Sequence, residues 1–116
     1  MEVSLTEKDR AKALVQAARS LKAEEIVLLN VNGHSSFTDY VLICQGRSQG
    51  HVKGIADRIK EELSKYRIKP LSIEGYTEGS WILMDYEDVI VHIFHPATRI
   101  YYNLEELHKN ALVETI

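Results

Sequence analysis

Acidic side chains are the first residues of this chain that could do chemistry. Asp85, Glu87 and Asp88 are close together in the sequence, and Asp39 precedes a long apolar run. Carboxylates on neighbouring strands can hold the magnesium ions of a nucleotidyltransferase. Three of these four, however, are grouped as in the solvated turn of a hairpin. We therefore expect that the carboxylates do not assemble a magnesium site and that the chain is not an enzyme.

A short corner at Gly46, Arg47 and Ser48 is the next candidate, because it joins a predicted strand to a predicted helix. Free backbone N–H groups at such a corner can hold an anion. The chain has neither a Walker-type loop nor a dinucleotide fingerprint. A residual nucleotidyltransferase acting on a nucleotide or RNA is therefore an alternative function, and no cofactor is expected.

The histidines and the single cysteine do not form a recognisable metal or catalytic set. His92 and His95 are expected on a strand and just beyond its end, so they should face different ways. No cysteine or second histidine pair completes a zinc site, and Cys44 is expected to be a small buried residue. No serine or cysteine has an evident histidine partner for nucleophilic catalysis. The remaining histidines are expected in loops or at helix surfaces: His34, His51 and His108.

The segment 75–94, which contains the only tryptophan, predicts a β-hairpin. Side chains alternate between the two faces of a strand. With a two-residue loop, one face is almost wholly apolar and reads as core: Ile82, Met84, Tyr86, Val89, Val91 and Ile93. The other face mixes aromatic, aliphatic and polar groups, as an interface does: Trp81, Leu83, Asp85, Ile90, His92 and Phe94. A loop of odd length would pair the faces the other way.

The remaining elements are predicted in the order α-β-β-α-β-β-β-α. A capping box at Thr6 starts the first helix, Ser48 caps the second, and the last covers 104–113 after a turn at Pro96. The first three strands are expected at 25–31, 40–44 and 71–73, and the unit 40–73 should be a right-handed parallel crossover. The fold class is therefore α/β, a mixed five-stranded sheet with about three helices. Part of one sheet face should stay uncovered.

Composition sets broad limits on the function. The chain has 116 residues and a net charge of −3, so we expect one domain, 1–116, without sequence-specific binding of nucleic acid. One cysteine rules out an internal disulfide and fits a reducing compartment. No apolar run approaches the roughly 20 residues that span a membrane, and the first residues lack a signal peptide. The expected location is the cytoplasm.

The tail from Arg99 is denser in aromatic residues than the start of a helix requires. One of Tyr101 and Tyr102 is expected in the core, and the other should extend the Trp81 surface. Over nearly its whole length the chain resembles the ribosomal silencing factor, or Iojap-like, family. Three motifs carry the resemblance: Ser35-Ser36-x-Thr38-Asp39-Tyr40, Gly79-x-Trp81-x-Leu83-x-Asp85-Tyr86-x-Asp88-Val89-x-Val91-His92-x-Phe94, and Arg99-x-Tyr101-Tyr102-x-Leu104-Glu105-x-Leu107. Two positions depart from it, because Glu87 stands where the family turns on glycine and His108 where a tryptophan often closes the tail.

The resemblance implies a nucleotidyltransferase-like fold without the working site of the enzyme. It also implies binding to the large ribosomal subunit through that subunit's fourteenth protein, which blocks joining of the small subunit and lowers translation when nutrients are short. A homodimer is typical of such proteins, and a ribosome assembly factor using the same contact is a further alternative. The residues expected to bind the partner are Trp81, Leu83, Asp85, Asp88, His92, Phe94 and Tyr101.

Overall fold

A computed structural model describes residues 5–33, 35, 37–109 and 111–114. His34 and Ser36, which the sequence assigns to a turn, lie outside these residues. The elements in chain order are α1 Glu7–Ser20, β1 Glu24–Asn30, β2 Tyr40–Gln45, α2 Gln49–Ser64, β3 Ser72–Glu74, β4 Trp81–Asp85, β5 Val89–Phe94, α3 Pro96–Tyr102, α4 Leu104–Leu107 and β6 Leu112–Val113. Among the described helices, none combines the length and the apolar character needed to cross a membrane.

The strands form one mixed sheet in the order β3-β4-β5-β2-β1-β6. The β2–β5 pair is parallel and the other neighbouring pairs are antiparallel. The predicted α/β class with a mixed sheet is confirmed, but the sheet has six strands where five were expected. The additional strand, β6, pairs with the outer edge of β1.

The prediction for the tail was wrong in its boundaries. A helix over 104–113 was expected, whereas α3 already begins at Pro96, with His95 as its N-cap. Proline favours the first turn of a helix because its φ is fixed and its missing N–H is not needed there. Asn103 then adopts a left-handed conformation with φ 45°, which ends α3, and α4 lasts a single turn. The following residues pair with β1 and extend the sheet.

The sequence predicted that the strand after α2 would run parallel to β2 and lie beside it. Strand β3 does run parallel to β2, but it is not its neighbour in the sheet. The strand beside β2 is β5, and β3 lies at the far edge of the sheet, separated from β2 by β4 and β5. Strand β5 is mostly buried and can occupy the middle of the sheet, whereas β3 is three residues long with exposed Ser72 and Glu74. Short polar strands of this kind suit an edge.

Helices α1 and α2 both pack on one face of the sheet and form the main core with it. Their predicted caps are confirmed, since Thr6 and Asp9 form the capping box of α1 and Ser48 caps α2. The opposite face has a smaller core, made of Leu29, Val31, Val41, Ile43 and Phe94. Among the described residues, Leu104 and Ala111 of the tail pack on that face, and near β4 and β5 the side chains of Leu83 and Ile90 stay partly exposed. The expected uncovered region is therefore present.

The hairpin follows the predicted register. Ile82 pairs with Ile93 and Met84 with Val91, and the backbone N–H of Tyr86 donates to the Val89 carbonyl. The loop is thus the two residues Glu87 and Asp88. Glu87 has φ 70°, a left-handed conformation that costs a side-chain-bearing residue on the order of 1–2 kcal/mol. This strain explains why glycine suits the position.

We expect Glu87→Gly to stabilise the fold by about 1 kcal/mol relative to Glu87→Ala. Both variants remove the same charge, and only glycine relieves the backbone strain. Urea unfolding of the two variants at neutral pH measures the difference. Equal stability of the two would show that the turn is not strained.

Candidate functional site

The hairpin and α3 bring four rings together on the sheet face that lacks the two long helices. We call Trp81, His92, Phe94 and Tyr102 the aromatic cluster. The Trp81 ring lies 5.2 Å from that of Phe94 and 4.6 Å from that of Tyr102, between centroids. His92 stacks on Phe94 with an interplanar angle of 12°. The register creates this contact, because Trp81 pairs with Phe94 and Leu83 with His92.

The exposure of the side chains increases across the aromatic cluster, from Phe94 in the core to Tyr102 at the surface. Phe94 is fully buried, His92 is 8% exposed and Trp81 is partly buried, whereas Tyr102 is 50% exposed and Tyr101 is 81% exposed. The expectation that one tyrosine lies in the core was wrong. Tyr102 is the tyrosine that contacts Trp81, and Tyr101 packs against its outer side at 5.1 Å.

Phe94 was expected at the partner-binding surface, and the structure places it underneath instead. It belongs to the smaller core, with Val41, Ile43 and the partly buried Leu104. The tail folds over this end of the sheet and covers Phe94, which strand alternation alone does not reveal. Phe94 therefore supports the cluster and offers no surface to a partner.

Trp81 and His92 are joined by a hydrogen bond of 3.1 Å from Nε1 of the indole to Nδ1 of the imidazole. Tryptophan can only donate, so Nδ1 of His92 must be the unprotonated acceptor. The neutral ring then carries its proton on Nε2. The pKa of His92 is lowered from 6.5 to about 4, chiefly by burial and to a smaller extent by the nearby His108.

This depressed pKa predicts how stability depends on pH. His92 becomes protonated below about pH 6.5 in the unfolded chain, but only below about pH 4 in the folded chain. The contribution is present above pH 6.5 and is lost as pH falls toward 4, with a total on the order of 3 kcal/mol. Urea unfolding between neutral and acidic pH should show this slope in the unmodified chain. In His92→Phe the slope should be reduced by that amount, and an unchanged slope would contradict the assignment.

Arg99 fixes α3 on the sheet. It is 8% exposed and donates from Nε to Glu105, at 2.9 Å, and from Nη1 to the Glu25 carbonyl, at 2.7 Å, and to Gln45. With α3 held in this way, Ile100 and Tyr101 project into solvent. Sequence reasoning gave Arg99 and Ile100 no place at the site, and it left open which of Tyr101 and Tyr102 would extend the Trp81 surface. The density of aromatic residues after Arg99 was the available signal.

The two expected acidic contacts behave differently. Asp85 lies on the same face as Trp81 and is partly exposed, with Oδ1 accepting the Glu87 N–H at 2.8 Å. Asp88 forms an ion pair of 3.2 Å with Arg10 of α1, a helix on the other side of the sheet. The structure therefore leaves Asp85 beside Leu83 on the candidate surface and does not bring Asp88 to it.

Three carboxylates lie close together, and two of them, Asp39 and Asp88, were considered as magnesium ligands in the sequence. Oxygens of Glu7, Asp39 and Asp88 lie within 4.8 Å of one another, and Asp85 and Glu87 are not among them. Burial raises the pKa of Asp88, which the Arg10 guanidinium partly offsets. Asp39 accepts a hydrogen bond of 2.9 Å from the Asn32 side chain. Arg10 thus already supplies a positive charge to this group.

The corner at Gly46–Ser48 uses its polar groups within the chain. The Arg47 N–H donates to Nδ1 of His51 at 2.9 Å, and the His51 N–H donates to Oγ of Ser48 at 3.1 Å. The Arg47 guanidinium pairs with Glu24. These N–H groups are not free for an anion, so the local geometry gives the anion-binding hypothesis little support.

Cys44 is fully buried in the main core, as expected, and burial raises the pKa of its thiol to about 12. A thiol in this environment stays protonated at neutral pH and is a poor nucleophile. His95 caps α3 through Nδ1, which accepts the Ala97 N–H at 3.4 Å. His92 and His95 thus have separate structural partners.

One class of proteins matches this chain over nearly its whole length. The family described as "Ribosomal silencing factor during starvation" matches residues 4–116. The chain therefore belongs to the ribosomal silencing factor family.

Individual relatives agree with this membership. A ribosomal silencing factor of Halalkalibacterium halodurans is 42% identical over 97 residues, which cover 84% of this chain and 83% of the relative. One from Bacillus subtilis is 39% identical, covering 92% and 91%. A crystal structure from Chromobacterium violaceum superposes with a TM-score of 0.87 at 28% identity, covering 89% of this chain and 86% of the other. Another, from Bacillus halodurans, gives a TM-score of 0.80 at 40% identity, covering 86% and 93%.

Proposed function

We propose that this chain represses translation by binding the large ribosomal subunit and sterically preventing the small subunit from joining. The contact on the large subunit is its fourteenth protein, and the repression operates when nutrients are short. Family membership supports a ribosomal partner, because the curated bacterial relatives are named ribosomal silencing factors. The observation that carries the proposal for this chain is the partly exposed Trp81 on an uncovered sheet face, flanked by exposed tyrosines.

The surface has the composition of a protein-binding site. Tryptophan and tyrosine are enriched among the residues that dominate binding energy. Ile100, the neighbour of Tyr101 in the sequence, is 79% exposed and adds exposed apolar area to α3. Leu83 and Ile90 continue this area along the sheet. Contiguous exposed apolar area of this kind marks interaction sites.

Asp85 is the residue that we expect to contribute electrostatic attraction to the contact. The chain carries a net charge of −3, and a surface beside ribosomal RNA is expected to be basic, so opposite charge should favour encounter. Asp88 has its own cation in Arg10. Asp85, on the face of Trp81, is the acidic residue that we expect to contact the partner.

The affinity for the large subunit should accordingly fall as salt is added, but with a shallow dependence on salt concentration. We expect a much smaller slope than that of a protein that neutralises many phosphates. Measurement of affinity for purified large subunits across a salt series gives the slope, and Asp85→Asn should reduce it. A slope typical of nucleic-acid binding would contradict a contact made mainly with protein.

We place the free protein in the cytoplasm as a homodimer that needs no cofactor. Co-sedimentation with purified subunits tests the partner, and we expect binding to the large subunit and not to the small one. A subunit-joining assay then separates silencing from the alternative role in ribosome assembly. An assembly factor would bind the large subunit without inhibiting joining of mature subunits.

A second candidate, a residual nucleotidyltransferase, is favoured by one observation, the approach of Glu7, Asp39 and Asp88. Calorimetric titration with nucleoside triphosphate and magnesium tests it. We expect no tight site, because Arg10 already pairs with Asp88 and the Arg47 and His51 N–H groups are bonded within the chain. Nucleotidyl transfer that disappears in Asp39→Ala would establish the enzyme instead.

A further inference from the structure

The polar atom of the Trp81 side chain is already used within the protein. Its only hydrogen-bond donor, Nε1, points to Nδ1 of His92 at 3.1 Å. His92 is itself 8% exposed, so this bond lies beneath the surface. The part of the indole left for a partner is therefore ring carbon.

We propose that His92 is a positioning residue, whose Nδ1 holds the indole of Trp81 so that the ribosomal partner meets an apolar ring surface. The complementary group on the partner is then an apolar side chain and not a hydrogen-bond acceptor. This inference rests on the proposed function, since it concerns the same surface. It assigns His92 a role in binding without direct contact with the partner.

The ring contacts alone do not fix this orientation. Phe94 lies against Trp81 at 5.2 Å and Tyr102 at 4.6 Å, and both contacts act on ring carbons. Turning the indole about its χ2 angle would direct Nε1 away from His92. Among the contacts described for Trp81, the bond to His92 is the one that depends on the direction of Nε1. Since Trp81 is held from three sides, the partner need not order it on binding.

A polar acceptor at this position is otherwise unfavourable. His92 stacks on the fully buried Phe94 and lies beside Ile43 on β2, and burying a polar ring costs free energy unless it is hydrogen-bonded. An apolar residue would fill the same space without that cost. The indole N–H gives Nδ1 of His92 its hydrogen-bond donor, and Nδ1 in turn fixes the direction of the indole N–H.

A double-mutant cycle tests the coupling in binding. His92→Phe keeps a ring of similar size and removes the acceptor, and we expect it to weaken binding to large subunits about tenfold. Trp81→Phe removes the N–H and keeps an apolar ring. In the Trp81→Phe background, His92→Phe should change affinity by less than about twofold, because the bond through which His92 acts is gone. Equal effects of His92→Phe in both backgrounds would overturn the proposal.

The free protein provides a readout that a merely structural role would not move. Trp81 is the only tryptophan, so the indole N–H gives a single resonance in a ¹⁵N-correlated NMR spectrum. We expect His92→Phe to shift this resonance and to speed its hydrogen exchange at least tenfold, while backbone resonances of β2 stay folded. His92→Gln offers an acceptor oxygen and should restore part of the protection and of the affinity. An indole resonance unchanged in His92→Phe would overturn the positioning role.

The two proposals fail in different ways. If the unmodified chain does not bind large subunits, the proposed function is wrong and the docking role of His92 falls with it. If the unmodified chain binds but the indole resonance and the cycle show no coupling, the proposed function stands and the inference about His92 is wrong.

Discussion

Trp81→Ala is expected to lower the affinity for large ribosomal subunits by roughly 2–4 kcal/mol, a loss of about 30- to 1,000-fold. The indole is the largest ring of the aromatic cluster that reaches the surface, and it also supports Tyr102 from below. Removing the indole would delete the centre of the contact surface and would leave Tyr102 without the ring against which it packs. Equilibrium binding of the variant to purified large subunits measures the loss.

Stability must be measured beside binding, because Trp81 also packs against the smaller core. Met84→Ala is the matched control, since Met84 is fully buried on the opposite face of the same strand. It should cost about 2–5 kcal/mol of unfolding free energy and leave the affinity of the folded protein nearly unchanged. Both variants are compared at a temperature where thermal melts show them folded. If folded Trp81→Ala binds like the unmodified chain, the proposed surface is wrong.

Phe94→Ala is expected to produce the largest loss of stability, about 3–5 kcal/mol of unfolding free energy. Its ring is fully buried and lies beneath Trp81 and against His92, so its removal would leave a cavity under the candidate surface. Urea unfolding at neutral pH measures the change. Any weakening of binding should follow from the loss of the folded form and from a displaced Trp81.

Tyr101→Ala is the comparison for Phe94→Ala, because Tyr101 is 81% exposed. It should change stability by less than about 0.5 kcal/mol while weakening binding. The opposite pattern, a stable Phe94→Ala that loses binding and a Tyr101→Ala that binds normally, would reverse the assignment of buried and exposed rings.

The hairpin was predictable because its information is local. Alternation along β4 and β5 separates Met84 and Val91 from Trp81 and His92, and a two-residue loop fixes the register. The starts of α1 and α2 were equally readable, since the caps at Thr6 and Ser48 depend on residues within one turn. These features follow from side chains that are neighbours in the sequence.

The tail and the charged groups were not predictable in the same way, because distant residues decide them. Arg99 holds α3 through Glu25 and Gln45, and β6 exists because β1 offers a free edge. The same dependence on distant contacts hides Phe94 under the tail. It also brings Asp39 and Asp88 together, although they are far apart in the chain.

Sedimentation of purified ribosomal subunits with and without this protein tests the central claim most directly. With the protein present under conditions that normally allow joining, we expect separate large and small subunits, with the protein in the large-subunit fractions. Trp81→Ala at the same concentration should allow joined ribosomes to form. Undiminished joining with the unmodified protein bound, or protein distributed equally between the two subunits, would contradict repression by steric block.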